Sequence, residues 1–338
     1  MPGFRRRTLH YNCRSPMPAT VRAFAKINLG LYIGPRRADR FHELRTVYQT
    51  LDVYDSVRVS AGPGAGIEIR CKDPQVPRDE TNTCWRIAER VMQALKQQRR
   101  VVVEIEKNLP VQGGLGAGSS DAAATMLGLE RELGLPLSPH DKLDIAAAIG
   151  SDVPLFLVGG TVLGTGHGEQ VLPLPDLPTL AVTVATPGIG VSTAKAFADW
   201  DALAASENAA LTPASVASRI DVFSRSILPW LAGSSSGVPV KDRDRAETPL
   251  LDLVRAGIEN DFERVVFPQY PELREVKCVL EREGATYASL SGSGSALYGI
   301  FDSPKAAEQA AAALKAKGIE ARASRTLNRA EYWKQMFD

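Results

Sequence analysis

From Ala19 the chain alternates. Val21, Ala23, Ala25, Ile27, Leu29, Leu31 and Ile33 fall on one face of a predicted strand, and Arg22, Phe24, Lys26, Asn28 and Tyr32 project from the other. Two more strand-like runs, Asp55 to Ser60 and Gly66 to Arg70, flank a Gly-Pro-Gly turn around Pro63. The period then lengthens. Trp85, Ala88, Val91, Met92 and Leu95 predict a helix from about Asn82 to Gln98, whose apolar stripe reads as core, and Val101 to Lys107 returns to a strand. Ala122, Met126, Leu129 and Leu133 predict a second helix, with Asp121 as its N-cap and Gly134 as its stop. Ser138 and Pro139 open a third, running to Gly150.

The second half begins with an apolar strand, Leu180 to Ala185. Leu273, Val276, Val279 and Leu280 mark a helix ended by Gly284. Ser303-Pro304 caps an Ala-rich helix to Gly318, and Ile319 to Ser324 gives a last strand. The order strand, helix, strand, then strand, helix, strand predicts a ferredoxin-like second domain. Between these parts, Gly233-Ser-Ser-Ser-Gly237 and the charged Lys241 to Arg245 mark residues 201–248 as an insertion or mobile loop.

A length of 338 residues suits two domains or one large one. Forty Lys and Arg nearly cancel 39 Asp and Glu, so net charge suggests no nucleic-acid or membrane partner. Cys13, Cys71, Cys84 and Cys278 show no C-x-x-C spacing, and His10, His42, His140 and His167 make no metal-binding pair, which points to reduced thiols in the cytoplasm. No apolar run approaches the ~18 residues of a membrane span. Residues 1–18 carry Arg5, Arg6, Arg7 and Arg14, no acid and no apolar h-region; they read as a short disordered tail or a transit peptide, with Met17 an alternative start.

Candidate chemistry gathers at Leu109-Pro-Val-Gln-Gly-Gly-Leu-Gly-Ala-Gly-Ser-Ser-Asp121. Small residues let this backbone curl, and a helix comes directly after it. The N–H groups and partial positive charge of its first turn suit a phosphate at Ser119 and Ser120 without a nearby lysine. Neither G-x-x-x-x-G-K-[ST] nor G-x-G-x-x-G occurs in the chain, and the bland alternative is a flexible connection.

The stretch P-x-x-x-G-L-G-x-G-S-S-x-A resembles the ATP-binding signature of the GHMP kinases. Ala23-Phe-Ala-Lys-Ile-Asn-Leu-Gly-Leu31 and Arg37-Ala-Asp-Arg-Phe-His-Glu-Leu-Arg-Thr46 are similar to two further motifs of one branch, the kinases of 4-diphosphocytidyl-2-C-methylerythritol. The resemblance covers about residues 19–200 and 250–325. It implies an α+β fold of two domains: a ribosomal-protein-S5-like domain at 19–178 and a ferredoxin-like one at 179–338, with the active site in the cleft. It also implies roles. Lys26 matches the catalytic lysine and Asn28 its polar partner. Asp152, in Gly150-Ser-Asp-Val-Pro-Leu-Phe156, matches the general base. Asn82, Lys107, Pro110, Gly113, Gly114, Leu115, Gly116, Ala117, Gly118, Ser119 and Ser120 match positions around ATP. Phe41 and Phe197 match aromatics on either side of the cytosine, and His42 matches the residue that reads its edge. Thr193, Ser291 and Gly292, the last two within Ser291-Gly-Ser-Gly-Ser295, match substrate contacts, and Gly166-His-Gly-Glu169 resembles the turn closing the first domain.

The reaction expected from this resemblance is phosphoryl transfer from ATP, with Mg²⁺ accompanying the nucleotide and no protein metal ligand assigned. The acceptor is a cytidylated small molecule, the partners include no nucleic acid or membrane, and the chain is a monomer or weak homodimer. Three residues depart from the pattern: Phe41 replaces tyrosine, Ser151 replaces alanine, and Arg40 replaces a glycine, which would strain the turn if residue 40 needs a positive φ. A homoserine or mevalonate kinase of the same superfamily, or a nucleotide-binding regulator without catalysis, are the alternatives.

Overall fold

The run from Ala19 forms β1 (Ala19–Arg36), paired antiparallel with the long β2 (His42–Gly62) in the computed structural model. The structure describes residues 18–206, 219, 221–223, 225 and 258–337. The predicted tail up to Met17, and the predicted insertion from 207 to 248 apart from those few residues, lie outside the described residues.

The single apolar face expected for β1 is corrected. Register shifts between Phe24 and Ala25 and between Asn28 and Leu31 re-aim the side chains. Val21, Ala23 and Phe24 therefore enter one core, Ala25, Ile27, Leu29 and Tyr32 a second, and Leu31 and Ile33 a third. The opposite face is not solvated either: Lys26 and Asn28 are 3% and 1% exposed.

One half of β2 pairs with β4 (Arg100–Glu106) and the other with β5 (Thr161–Thr165), while β6 (Gln170–Pro173) closes that edge. Beyond β4 lies β3 (Ile67–Cys71), parallel to it. The Gly-Pro-Gly turn is thus no hairpin between neighbours, because β4 slots between the strands it joins. Helix α1 (Thr83–Ala94) starts at Asn82, whose side chain accepts from Cys84 N–H, and α3 (Pro139–Ile149) starts at Ser138 as expected. Between them in sequence, α2 (Ala117–Leu133) presses on the sheet so closely that a Cβ on Gly128 would lie 2.7 Å from Val59 Cγ2.

Asp121 is not the N-cap of α2. Gly116, at φ 74, makes the turn into the helix five residues earlier, and Asp121 is buried within it. Small residues that look like loop in sequence are in fact the first turn.

In the second half, β7 (Ala181–Ala185), β8 (Tyr287–Leu290), β9 (Leu297–Phe301) and β10 (Ala321–Arg325) form an antiparallel sheet in the order β10-β7-β9-β8. That order, with helices at Pro271–Arg282 and Pro304–Ala316, is the ferredoxin-like arrangement expected. The cores do not respect a cut at residue 178. Leu31, Ile33 and Leu44 pack into the second half's core, while Tyr332 and Met336, from the last helix, pack into the first half's. The β1–β2 hairpin and the C-terminus therefore lock the halves together, and the site lies where they meet.

Arg40 does sit at φ 72, in a turn held by Asp39 Oδ1 accepting from Phe41 N–H at 3.0 Å. A side chain there costs about 1–2 kcal/mol. Arg40→Gly is expected to raise stability by about 1 kcal/mol net of the looser unfolded chain, read as a higher denaturant midpoint at unchanged slope. An unmoved midpoint would mean the turn carries no strain.

Candidate active site

Lys26 and Asp152, 126 positions apart in sequence but both in the first half, meet in space: Lys26 Nζ lies 3.2 Å from Asp152 Oδ2. The same ammonium donates to Asn28 Oδ1 at 2.6 Å, and Asn28 Nδ2 donates to Thr46 Oγ1 at 2.8 Å. Thr46 Oγ1 in turn donates to Gly30 O at 2.8 Å, so the chain of donors fixes which way the Asn28 amide points. On the other side Tyr48 donates to Asp152 Oδ1 at 3.0 Å, with its ring 5.6 Å from the Lys26 ammonium. Burial, reinforced by the neighbouring Asp152 charge, holds the Tyr48 phenol well above its ordinary value, so it stays a donor. Tyr48 and Thr46 were missed by sequence reasoning. They reach the site because β2 pairs Asn28 with Tyr48 and, past the bulge, Leu31 with Thr46.

The glycine loop lies beside this pair. Lys26 N–H donates to Leu115 O at 2.9 Å, and Cβ atoms built on Gly116 and Gly292 would lie 2.9 Å from Lys26 Cγ and 3.2 Å from its Nζ. A Cβ on Gly150 would lie 3.9 Å from Ser119 Oγ, which puts the start of α2 against the segment carrying Asp152. Thr83 Oγ1 donates to Gly118 O at 2.7 Å, tying α1 to the same turn, and Pro110 packs on Gly113. From the other half, Ser291 donates through Oγ to Gly114 O at 2.9 Å, and Ala296 N–H donates to Gly113 O at 2.8 Å. The Ser291 hydroxyl is thereby spent on the loop.

Asn82 and Lys107 border the loop with their polar ends engaged. Asn82 caps α1 and donates to Pro77 O at 2.6 Å. Lys107 bridges two buried carboxylates, Asp55 and Asp121, the latter at 3.0 Å. Burial first, then the Asp55 charge against Lys107, pushes Asp121 up from 3.8 to about 7. A carboxyl whose folded pKa is raised binds its proton more tightly when folded, so its contribution is full below the unfolded value and is lost as pH rises through the folded one. Stability is expected to fall as pH rises between about 4 and 7, and Asp121→Asn is expected to flatten that slope. Equal slopes in denaturant titrations at several pH values would rule this out.

The residues matched to the cytosine are close in space but otherwise partnered. Phe41 is 55% exposed and stacks on His167, with ring centroids 4.7 Å apart. His42 is buried, stacks on Phe197 at 5.2 Å, and its Nε2 lies 2.7 Å from Asp201 Oδ1. Phe197 in turn meets Phe262 edge-on. Thr193 Oγ1 lies 2.8 Å from Ser293 Oγ, joining the helix Thr193–Ser206 to the Ser-Gly turn. Ser293 lies within the Ser291–Ser295 motif but was not assigned a role, and Asp201 carried no sequence signal of its own.

Family profiles described as the N-terminal domain and the C-terminal domain of GHMP kinases match residues 82–160 and 240–320. The chain is 40% identical over 287 residues to the 4-diphosphocytidyl-2-C-methyl-D-erythritol kinase of Solibacter usitatus, covering 84% of this chain and 81% of that one. It is 35% identical over 298 residues to that of Prosthecochloris aestuarii, covering 88% and 94%. A crystal structure of 4-(cytidine 5'-diphospho)-2C-methyl-D-erythritol kinase superposes with a TM-score of 0.68 at 30% identity, over 91% of this chain and 98% of that one. Homoserine kinase from Cytophaga hutchinsonii, at 19% identity, TM-score 0.64 and coverage of 98% and 99%, shares the fold. The chain belongs to the 4-diphosphocytidyl-2-C-methyl-D-erythritol kinase family of the GHMP kinases.

Proposed function

We propose that this chain transfers the γ-phosphoryl group of ATP to the 2-hydroxyl of 4-diphosphocytidyl-2-C-methyl-D-erythritol, a step of the non-mevalonate route to isoprenoid precursors. The observation that carries it is the Lys26–Asp152 contact, 3.2 Å, set against the start of α2. Phosphoryl transfer leaves the protein mostly with positioning and charge stabilisation. The loop from Gly113 to Ser120 holds the ATP phosphates with backbone N–H groups. Asp152 orients the acceptor hydroxyl and receives its proton, which moves late in a loose transition state. Lys26 offsets the charge that develops, and Tyr48 fixes the carboxylate from its other oxygen.

Phe41, His42 and Phe197 recognise the cytosine. Asn28, Thr193 and Gly292 border the acceptor, and Asn82 and Lys107 shape the adenine side. Among the described residues no three His, Cys, Asp or Glu form a metal cage, whereas the buried Ser120 hydroxyl has no hydrogen-bond partner. Mg²⁺ would be held there by the Ser119 and Ser120 hydroxyls together with the nucleotide, where it would neutralise phosphate charge. No helix among the described residues is long and apolar enough to cross a membrane. We take the enzyme to act in the cytoplasm on a small molecule, as a monomer or weak homodimer with no nucleic-acid partner.

The test is ADP release with Mg-ATP and four acceptors: the cytidylated compound, the cytidine-free methylerythritol phosphate, mevalonate and homoserine. Turnover confined to the first is expected. Turnover only with another acceptor would discard the cytosine site, and ATP binding without any turnover would favour a regulator.

A further inference from the structure

Two of the three positions at which this chain departs from the motifs it resembles converge on one residue. Phe41 and Ser151 are two such positions, and both touch His167. The imidazole stacks under the Phe41 ring at 4.7 Å with 27° between the planes, and its Nδ1 lies 2.7 Å from Ser151 Oγ. Backbone and side chain of the same turn add to the hold: His167 N–H donates to Glu169 Oε2 at 2.7 Å, and that oxygen lies 3.3 Å from Nδ1. Ser151 directly precedes Asp152, and the next residue of the turn, Gly168, offers its carbonyl to Tyr48 at 3.5 Å. His167 therefore connects the exposed aromatic of one motif to the segment bearing the carboxylate of another.

We infer that His167 is a positioning residue for recognition of the acceptor's pyrimidine: it is the fixed underside of the Phe41 platform. The inference rests on the reading of Phe41 as a base-stacking residue. At 55% exposure, and following a left-handed residue at the tip of its turn, Phe41 has the His167 ring stacked against one of its faces. Lacking a phenolic hydroxyl, it has no polar anchor of its own. A ring that is free in the unliganded protein must be immobilised on binding, and a ring already stacked spares that loss. The covered face is the one against His167, so the base stacks on the other, in the order imidazole, phenyl, pyrimidine. Ser151 and Glu169 keep the imidazole from turning away, which gives the serine at this position a purpose an alanine could not serve.

Calorimetric titration of the full chain with CDP, and separately with ADP and Mg²⁺, tests this on the wild type, His167→Ala and His167→Phe. The alanine variant is expected to bind CDP about three- to tenfold more weakly. Its ADP affinity should be unchanged, and the phenylalanine variant, which keeps a flat partner without the hydrogen bond, should recover most of the loss. In turnover the same variants should raise KM for the cytidylated acceptor and leave kcat and KM for ATP in place. Equal CDP affinity in wild type and His167→Ala overturns the inference while leaving the kinase reading intact, and so does a parallel loss of CDP and ADP binding. A wild type that binds ADP but not CDP removes the cytosine reading itself, and the inference with it.

Discussion

Asp152→Asn is expected to lower kcat by about 10²–10⁴ while ADP affinity changes less than about twofold. The substitution keeps shape and one hydrogen-bond acceptor, so Tyr48, at 3.0 Å, still has a partner. What disappears is the negative charge. A neutral amide cannot receive the acceptor's proton, and Lys26, 3% exposed, is left with Asn28 as its remaining side-chain acceptor. Removing one partner of a fully buried pair costs about 3–5 kcal/mol. Asp152 is 28% exposed, so solvent screens part of this and the fold survives. The glycine loop contacts Lys26 through its backbone N–H, at 2.9 Å to Leu115 O, and through its aliphatic stem; neither depends on the carboxylate. Steady-state rates and calorimetry on one preparation therefore separate the two effects. If nucleotide affinity dropped in step with kcat, Asp152 would be holding the cleft together rather than acting on the hydroxyl.

The pieces of this site differ in how readable they were. Lys26, Asp152 and the glycine loop stand in short contiguous motifs, and the chain places them together. The alternation of strands and helices in the second half was legible too: Ser303 caps the helix Pro304–Ala316, and the strand Ala181–Ala185 is buried throughout, whereas the last strand, Ala321–Arg325, carries two arginines and was found from its place after that helix. Tyr48 was not legible. In sequence it is one more residue of a strand, and only the shifted register of β1 against β2 turns it toward Asp152. The same shifts spread the apparently single apolar face of β1 over three cores. Lys107 reads as a solvated charge at a strand end, yet Asp55 and Asp121 bury it, and neither lies near it in sequence. Asp121 misled for a related reason. A carboxylate ahead of an apolar period looks like a cap, and the helix had already begun among residues whose smallness suggested a loop.

Gly114→Ala is expected to lower kcat/KM for ATP by about two orders of magnitude or more, since a displacement near 1 Å in a positioning element costs about that much. Gly114 sits at φ 86, and a Cβ there would lie 2.1 Å from Ser291 O and 3.1 Å from Gly294 Cα. The contact is reciprocal: a Cβ on Gly294 would fall 2.4 Å from Gly114 N. Backbone meets backbone on both sides, so no side chain can swing away and the glycine loop must lift off the Ser-Gly turn. Lifting breaks the bonds that Ser291 Oγ and Ala296 N–H make to Gly114 O and Gly113 O, and it moves Leu115, whose carbonyl receives the Lys26 N–H. Gly134 supplies the control. It too has a positive φ, 65, but nothing lies within 4 Å of its Cβ position. Gly134→Ala should thus cost only the conformational strain, about 1–2 kcal/mol, and keep its kinetics. If both variants lost stability alike and both kept their affinity for ATP, the interlock of the two glycine turns would not be what holds the nucleotide loop in place.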